Sequence, residues 1–269
     1  MPSAVGRERY QVLARLLGPI RTLGDRLGGW TRPGATPPSE PRVGADEIDD
    51  RATIEFVRPY TMTSSERIRA LCSAVRYIEE ARIDGAIVEC GVWRGGSMMA
   101  VARTLLSRDA AQRELFLFDT FEGMTEPGPH DIAITGESAA SLLKGVARSE
   151  EDKLWCYAPV ERVARALALT EYPKERIHMV AGRVEDTLQA AAPERIALLR
   201  LDTDWYESTK HELDVLFPRL RQGGVLIIDD YGHWQGARRA VDEYVRDQGI
   251  KLFLHPIDYT GRIGIKAFE

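Results

Sequence analysis

The chain has 269 residues, with 36 Lys+Arg against 41 Asp+Glu and a net charge of −5. That length buries a core without disulfide or metal staples, and the charge balance lacks the basic excess of a general nucleic-acid binder. Three separated cysteines (Cys72, Cys90, Cys156) form no CxxC pair, which excludes a disulfide framework and a cysteine-rich zinc site. No apolar run reaches the ~20 residues that span a bilayer, and a cytoplasmic protein is expected.

Residues 1–32 carry six arginines against Glu8 and Asp25, a local charge of +4 that leaves −9 for the rest. Leu13, Leu16, Leu17, Ile20, Leu23 and Leu27 fall at helical spacing, interrupted at Pro19. This basic amphipathic helix is expected to dock on its own domain or on a second subunit, ahead of a membrane surface. Arginines recur through the stretch a secretory signal keeps apolar, which excludes one. Residues 32–42 hold four prolines and a glycine and read as an extended linker. An acidic stretch follows (Asp46, Glu47, Asp49, Asp50), so the expected division is an appendage at 1–52 and a catalytic domain at 53–269.

From residue 64 strands and helices alternate. Ser64 or Ser65 caps a helix through about 80. Residues 86–90 are a short apolar strand, followed by a glycine-rich turn and a helix from Ser97. Further strands are expected at 115–118, 177–180, 197–201 and 225–228, with helices at 159–169, 184–191, 207–219 and 234–247. Two late runs, 251–255 and 262–267, form a hairpin around Tyr259-Thr-Gly261. Short, fully apolar strands between helices imply a doubly wound α/β sheet, mostly parallel with an antiparallel C-terminal hairpin. Ligands in such sheets bind beyond the carboxyl ends of the strands.

The polar clusters fall at those ends. In Val88-Glu-Cys-Gly-Val-Trp-Arg-Gly-Gly-Ser97 the glycines allow a tight turn against a ligand, and Ser97 opens a helix whose N–H groups favour negative charge. Glu89 repels a pyrophosphate but suits an ammonium group, so a ligand with an amine and a carboxylate fits, as in a methionine moiety. Asp119, at the end of the next strand, is spaced to take ribose hydroxyls. Asp202-Thr-Asp204 and Asp229-Asp230 end successive strands and crowd carboxylates that need a cation. A carboxylate-only set points to Mg²⁺, Mn²⁺ or Ca²⁺. His130, His178, His211 and His255 read as structural or surface residues, whereas His233, just past Asp230, is placed to touch an acceptor. Trp155, Trp205, Tyr206 and Trp234 either stack on that acceptor or pack in the core. Residues 125–157, rich in Gly, Ser and charge, read as a mobile lid.

Four stretches resemble the macrocin O-methyltransferase family: Glu89-Cys-Gly-Val-Trp-Arg-Gly-Gly-Ser97, Phe118-Asp-Thr-Phe-Glu-Gly-Met124, Leu201-Asp-Thr-Asp-Trp-Tyr-Glu-Ser-Thr209 and Gly224-Val-Leu-Ile-Ile-Asp-Asp-Tyr-Gly-His-Trp-Gln-Gly-Ala-Arg238. The resemblance runs from about residue 58 to the C-terminus. It implies a Rossmann-like class I methyltransferase sheet, S-adenosylmethionine as methyl donor, Mg²⁺ (or Mn²⁺), and a sugar hydroxyl of a glycosylated natural product as acceptor. By that resemblance Thr61 and Met62 belong to a segment that closes on the cofactor. Glu89, Gly91 and Ser97 hold its methionine part, Asp119 the ribose, and Arg183, Val184 and Glu185 the adenine. Asp202, Asp229 and Asp230 are the metal ligands. Asp204 is the general base, with Asp202 the second choice, and Trp205, Tyr206, His233 and Trp234 meet the acceptor. A homo-oligomer is expected. Three other readings remain open: the same chemistry on a catechol or phenol, a non-catalytic binder of the cofactor, and an NAD-linked oxidoreductase, the last weakened by the missing GxGxxG.

Overall fold

Apolar runs too short for helices become the strands of one sheet in this computed structural model, which describes residues 44–149 and 154–267. The basic segment 1–32 and the linker at 32–42 lie outside the described residues. Strands β1 (Ala86–Cys90), β2 (Leu115–Asp119), β3 (Ile177–Ala181), β4 (Ile196–Leu201) and β5 (Leu220–Ile228) run parallel. β6 (His255–Pro256) and β7 (Arg262–Ile265) return antiparallel beside β5. Among the described residues the order is β3-β2-β1-β4-β5-β7-β6. The order reverses between β1 and β4, which opens a crevice at their carboxyl ends.

The helices are α1 (Ala45–Val57), α2 (Ser65–Glu80), α3 (Gly96–Leu106), α4 (Ala139–Leu143), α5 (Val160–Ala168), α6 (Val184–Ala191), α7 (Tyr206–Leu216) and α8 (Gln235–Asp247). Alternate strand residues face opposite layers. Ile87, Leu117 and Leu198 pack with Val57, Leu71, Met99 and Leu167. Val88, Phe118 and Leu199 pack with Leu188, Leu213 and Val241. Each such side chain contributes about 1.5–3 kcal/mol by leaving water. No helix among the described residues is long and apolar enough to cross a membrane.

Two expectations change. The compact unit begins at Gly44, not near Thr53. The acidic stretch is the start of α1, where Asp46 and Glu47 favour the helix dipole. Asp50 is fixed by Arg76 of α2 at 2.8 and 3.0 Å, and Thr53, Ile54 and Val57 are buried. The hairpin is shorter than expected, because residues 251–254 form no strand and β6 includes Pro256, which has no N–H to give a ladder. The described residues of the stretch 125–157 carry backbone bonds to its neighbours. Ile134 N–H donates to the His233 carbonyl (2.8 Å), Gln235 N–H to the Ile132 carbonyl (2.9 Å) and Met124 N–H to the Trp155 carbonyl (2.8 Å).

Candidate functional site

A cavity of about 400 Å³ opens at the carboxyl ends of β1, β2 and β4. Its first wall is the turn after β1. Gly91 has φ +81°, and a Cβ there would lie 1.9 Å from the Asp202 carbonyl oxygen, so only glycine fits between the β1 and β4 ends. Gly96 lets the chain segment ahead of α2 cross the turn, since a Cβ would sit 2.6 Å from Thr61 Cβ. Thr61, Met62, Gly91, Ser97 and Asp119 all line the cavity, as do Arg183, Val184 and Glu185 beyond β3. The Asp119 carboxylate accepts backbone N–H bonds from Val92 (2.6 Å), Trp93 (3.0 Å) and Phe121 (2.7 Å), which fixes the turn to β2. Burial raises its pKa against those three donors.

Glu89 stands behind this wall, not in the cavity. It is 1% exposed, its Oε1 accepts from Arg200 Nη1 at 2.7 Å, and it is absent from the cavity lining. The reason is register: Arg200 of β4 lies directly beside Glu89 of β1. Burial pushes the Glu89 carboxyl up to about 7, with Arg200 pulling the other way.

Arg200 is the centre of the site that sequence reasoning missed. Its Nη1 also meets Asp202 Oδ2 at 2.7 Å, and its Nη2 meets Asp229 Oδ1 at 2.5 Å and Thr63 Oγ1 at 3.3 Å. Desolvation works against its charge, but Asp202, Asp229 and Glu89 outweigh it and hold the guanidinium charged. Arg67 of α2 bonds the second oxygen of Asp229, and its Nε lies 3.0 Å from Asp258 Oδ2. An arginine inside an otherwise apolar run (Ile196–Leu201) was the signal to read. Arg67 had no comparable signal.

The acidic loops converge. Asp202, Asp204 and Asp230 line the cavity, while Asp229 is buried behind it. Asp202 and Asp230 are held well above the ordinary carboxylate range, first by burial and then by neighbouring carboxylates. Burial and Asp202 raise Asp204 to about 8, against hydrogen bonds with Asp230 and Trp234. Trp234 Nε1 donates to Asp204 Oδ1 at 2.7 Å. Asp204 has φ +67°, a strained backbone for a residue with a side chain.

The donor chemistry fits a hard divalent cation. Asp202, Asp229 and Asp230 each offer an oxygen, and these atoms lie within 4.8 Å of one another. Asp230 Oδ2 is buried with no hydrogen-bond partner among the described residues. Oxygen-only ligation of this kind suits Mg²⁺ or Mn²⁺.

The expected acceptor residues divide. His233 and Trp234 line the cavity, and burial keeps the His233 imidazole below its usual pKa. Trp205 and Tyr206 do not line it. Trp205 is buried, donates from Nε1 to the Thr125 carbonyl (2.9 Å) and packs edge-on to Trp234. The Tyr206 hydroxyl donates to Glu243 Oε2 (2.6 Å). Both residues flank the start of α7, where the helix turns them away from the cavity. Trp155 is likewise core, bonded to the Val146 carbonyl at 2.9 Å.

Residues 42–263 match the family model described as Macrocin-O-methyltransferase (TylF). The 8-demethyl-8-(2,3-dimethoxy-alpha-L-rhamnosyl)-tetracenomycin-C 4'-O-methyltransferase of Streptomyces olivaceus is 34% identical over 202 residues, covering 75% of this chain and 74% of the relative. Mycinamicin III 3''-O-methyltransferase of Micromonospora griseorubida is 30% identical over 75% of this chain and 76% of its own. The solved O-methyltransferase NovP superposes with a TM-score of 0.67 at 28% identity, covering 78% of this chain and 83% of NovP. The sheet, the crevice at its reversal and these likenesses agree, and the chain belongs to the macrocin O-methyltransferase family as an S-adenosylmethionine-dependent O-methyltransferase.

Proposed function

We propose that the protein methylates a hydroxyl of a sugar carried by a natural product, with Mg²⁺ bound at the acidic loops. The observation that carries the reading is the convergence of Asp202, Asp204 and Asp230 on the cavity that the glycine turn also lines. The activities for which the tetracenomycin and mycinamicin relatives are named support the acceptor class.

In this reading S-adenosylmethionine supplies an electrophilic sulfonium methyl, and a divalent cation, when bound, would supply Lewis-acid activation of the acceptor hydroxyl. The chain does the rest. Asp119 and the turn at Gly91 to Ser97 orient the donor, with Thr61 and Met62 crossing above them. Arg183, Val184 and Glu185 flank its adenine. Asp202 and Asp230 would hold the cation from the cavity wall, with Asp229 behind them as the third carboxylate. Asp204 takes the acceptor proton as the new O–CH₃ bond forms and the S–CH₃ bond breaks. Trp234 keeps that carboxylate aimed through its Nε1 hydrogen bond. His233, uncharged, borders the acceptor. Glu89 serves indirectly, by holding Arg200 against Asp202.

The test supplies purified protein with S-adenosylmethionine and two acceptors, a rhamnosylated aromatic polyketide and a simple catechol, with Mg²⁺ or EDTA. A methylated glycoside formed only with Mg²⁺ is expected. Turnover of the catechol alone moves the substrate to phenols, and undiminished turnover in EDTA removes the metal.

A further inference from the structure

Two helices start right after the acidic loops of the cavity: α7 follows Asp204 and Trp205, and α8 follows Trp234. Neither has a side-chain cap of its own, since Trp205 and Trp234 occupy the N-cap positions. Free N–H groups at a buried helix start need acceptors. One short stretch between β2 and α4 supplies them for both helices. Asp131 Oδ1 accepts from the Tyr206 N–H at 2.8 Å, and the Ile132 carbonyl accepts from the Gln235 N–H at 2.9 Å. Asp131 is itself locked: it is 1% exposed, its Oδ2 accepts from the Gly128 N–H at 2.6 Å, and its carbonyl accepts from the Ala139 N–H at 2.8 Å. The first turn of α8 presses on it, because a Cβ on Gly236 would lie 2.1 Å from Asp131 Oδ1. Next along, Ala133 forms a bridge with Trp234.

We infer that Asp131 is a positioning residue for methyl transfer: its buried carboxylate anchors the start of α7 to the segment whose next carbonyl, that of Ile132, caps the start of α8, and this joint anchor fixes Asp204 against Trp234. The inference rests on the reading of Asp204 as the proton acceptor. The bond that the tie protects is the 2.7 Å contact between Trp234 Nε1 and Asp204 Oδ1, which joins the two loops across the acceptor side of the cavity. It also holds the left-handed backbone of Asp204, two residues before the capped N–H. Asp131 lines no part of the cavity, so it touches neither donor nor acceptor.

Asp131→Ala removes the carboxylate, and Gly236→Ala displaces it while leaving it in the chain. Both variants should bind S-adenosylhomocysteine in calorimetry within about twofold of the parent, because the donor side is built on β1 to β3. Both should lose kcat by about 10²-fold, the scale of an ångström of misalignment, with a smaller change in acceptor KM. The double variant should be no worse than the weaker single one, since both act on one carboxylate. Asp131→Asn keeps one acceptor for the Tyr206 N–H but turns an amide donor toward the Gly128 N–H, so it should recover only part of the loss, and Gly236→Ala stands in if Asp131→Ala does not fold. Either alanine variant turning over within about threefold of the parent overturns the inference, as do losses that multiply in the double variant. Asp204→Asn is measured alongside: normal turnover there defeats the reading beneath the inference, whereas a dead Asp204→Asn with an active Asp131→Ala defeats the inference alone.

Discussion

Replacing Arg200 by leucine should be felt across the whole acidic floor. The side chain is 4% exposed and sits 2.7 Å from Glu89, 2.7 Å from Asp202 and 2.5 Å from Asp229. Asp229 retains Arg67 and Asp202 reaches the cavity, but Glu89 is left buried with no cation among the partners described for it. Removing one partner of a buried pair costs about 3–5 kcal/mol. For a domain of this size that is a fall in Tm of roughly 6–20 °C. The deficit should depend on pH with a definite sign. Burial already raises Glu89 to about 7 from 4.5, and losing Arg200 raises it further. An acid with a raised folded pKa contributes stability that is full below its unfolded pKa and lost as pH rises through the folded one. The gap between variant and parent should therefore be narrow near pH ~5 and widest near pH ~8. Arg200→Lys should not repair it, because one point charge cannot serve three carboxylates. Differential scanning calorimetry at the two pH values decides the matter. A Tm loss under about 2 °C, or an equal loss at both pH values, refutes the hub.

Asp204→Asn should cut kcat by about 10²–10⁴-fold while calorimetric binding of S-adenosylhomocysteine is retained. In the parent, a base raised to about 8 by burial and Asp202 is unprotonated only toward alkaline pH, so kcat should climb through the neutral range, and added Mg²⁺ should move the midpoint of the climb to lower pH. Gly91→Ala forces a Cβ to within 1.9 Å of the Asp202 carbonyl at φ +81°, so donor binding should be abolished or the protein should fail to fold; ordinary affinity and an unchanged Tm would show that the two strand ends are not packed as described. Tyr206→Phe removes only the hydroxyl that bonds Glu243 outside the cavity, so acceptor KM should stay within about twofold of the parent; a large KM rise would return Tyr206 to the acceptor site.

The sheet was legible because its strands are short, apolar on both faces and separated by amphipathic helices, a pattern that local sequence carries in full. The loop ends were legible for the same reason: Gly91, Asp119, Asp202 and Asp230 end strands, and the doubly wound topology sends strand ends to one crevice. What local sequence lacks is direction and register. Glu89 reads as a ligand-facing acid until β4 is laid beside β1 and Arg200 takes it. Trp205 and Tyr206 adjoin Asp204 in sequence, yet one residue of helix rotation sends them into the core and toward Glu243. The acidic run at 46–50 reads as linker because its partner, Arg76, is on the next helix. Asp131 carried no local signal of its link to α7, since the N–H that its Oδ1 serves belongs to a helix start 75 residues away.

The paired aspartates after β5 are equivalent in sequence and unequal in space. Asp229 is 4% exposed and both its oxygens are taken by arginines, whereas Asp230 lines the cavity with a buried oxygen that has no partner among the described residues. A divalent cation at this site would be held from the cavity by Asp230 and Asp202, and Asp229 could join them only by sharing oxygens with Arg67 and Arg200. If the pair held the cation equally, Asp229→Asn and Asp230→Asn would weaken Mg²⁺ alike. The geometry demands a split. Asp230→Asn should remove most of the calorimetric Mg²⁺ affinity with little loss of Tm, because it relieves a carboxylate that burial and neighbours already disfavour. Asp229→Asn should weaken Mg²⁺ by about 10–100-fold, as a group orienting its ligands does. It should also lower Tm, because the buried Arg200 and the half-buried Arg67 each lose one of their carboxylate partners. Equal Mg²⁺ losses with equal Tm values would mean that the arginines release Asp229 whenever the cation binds, and Arg200 would then act as a placeholder for the metal, not as a permanent part of its support.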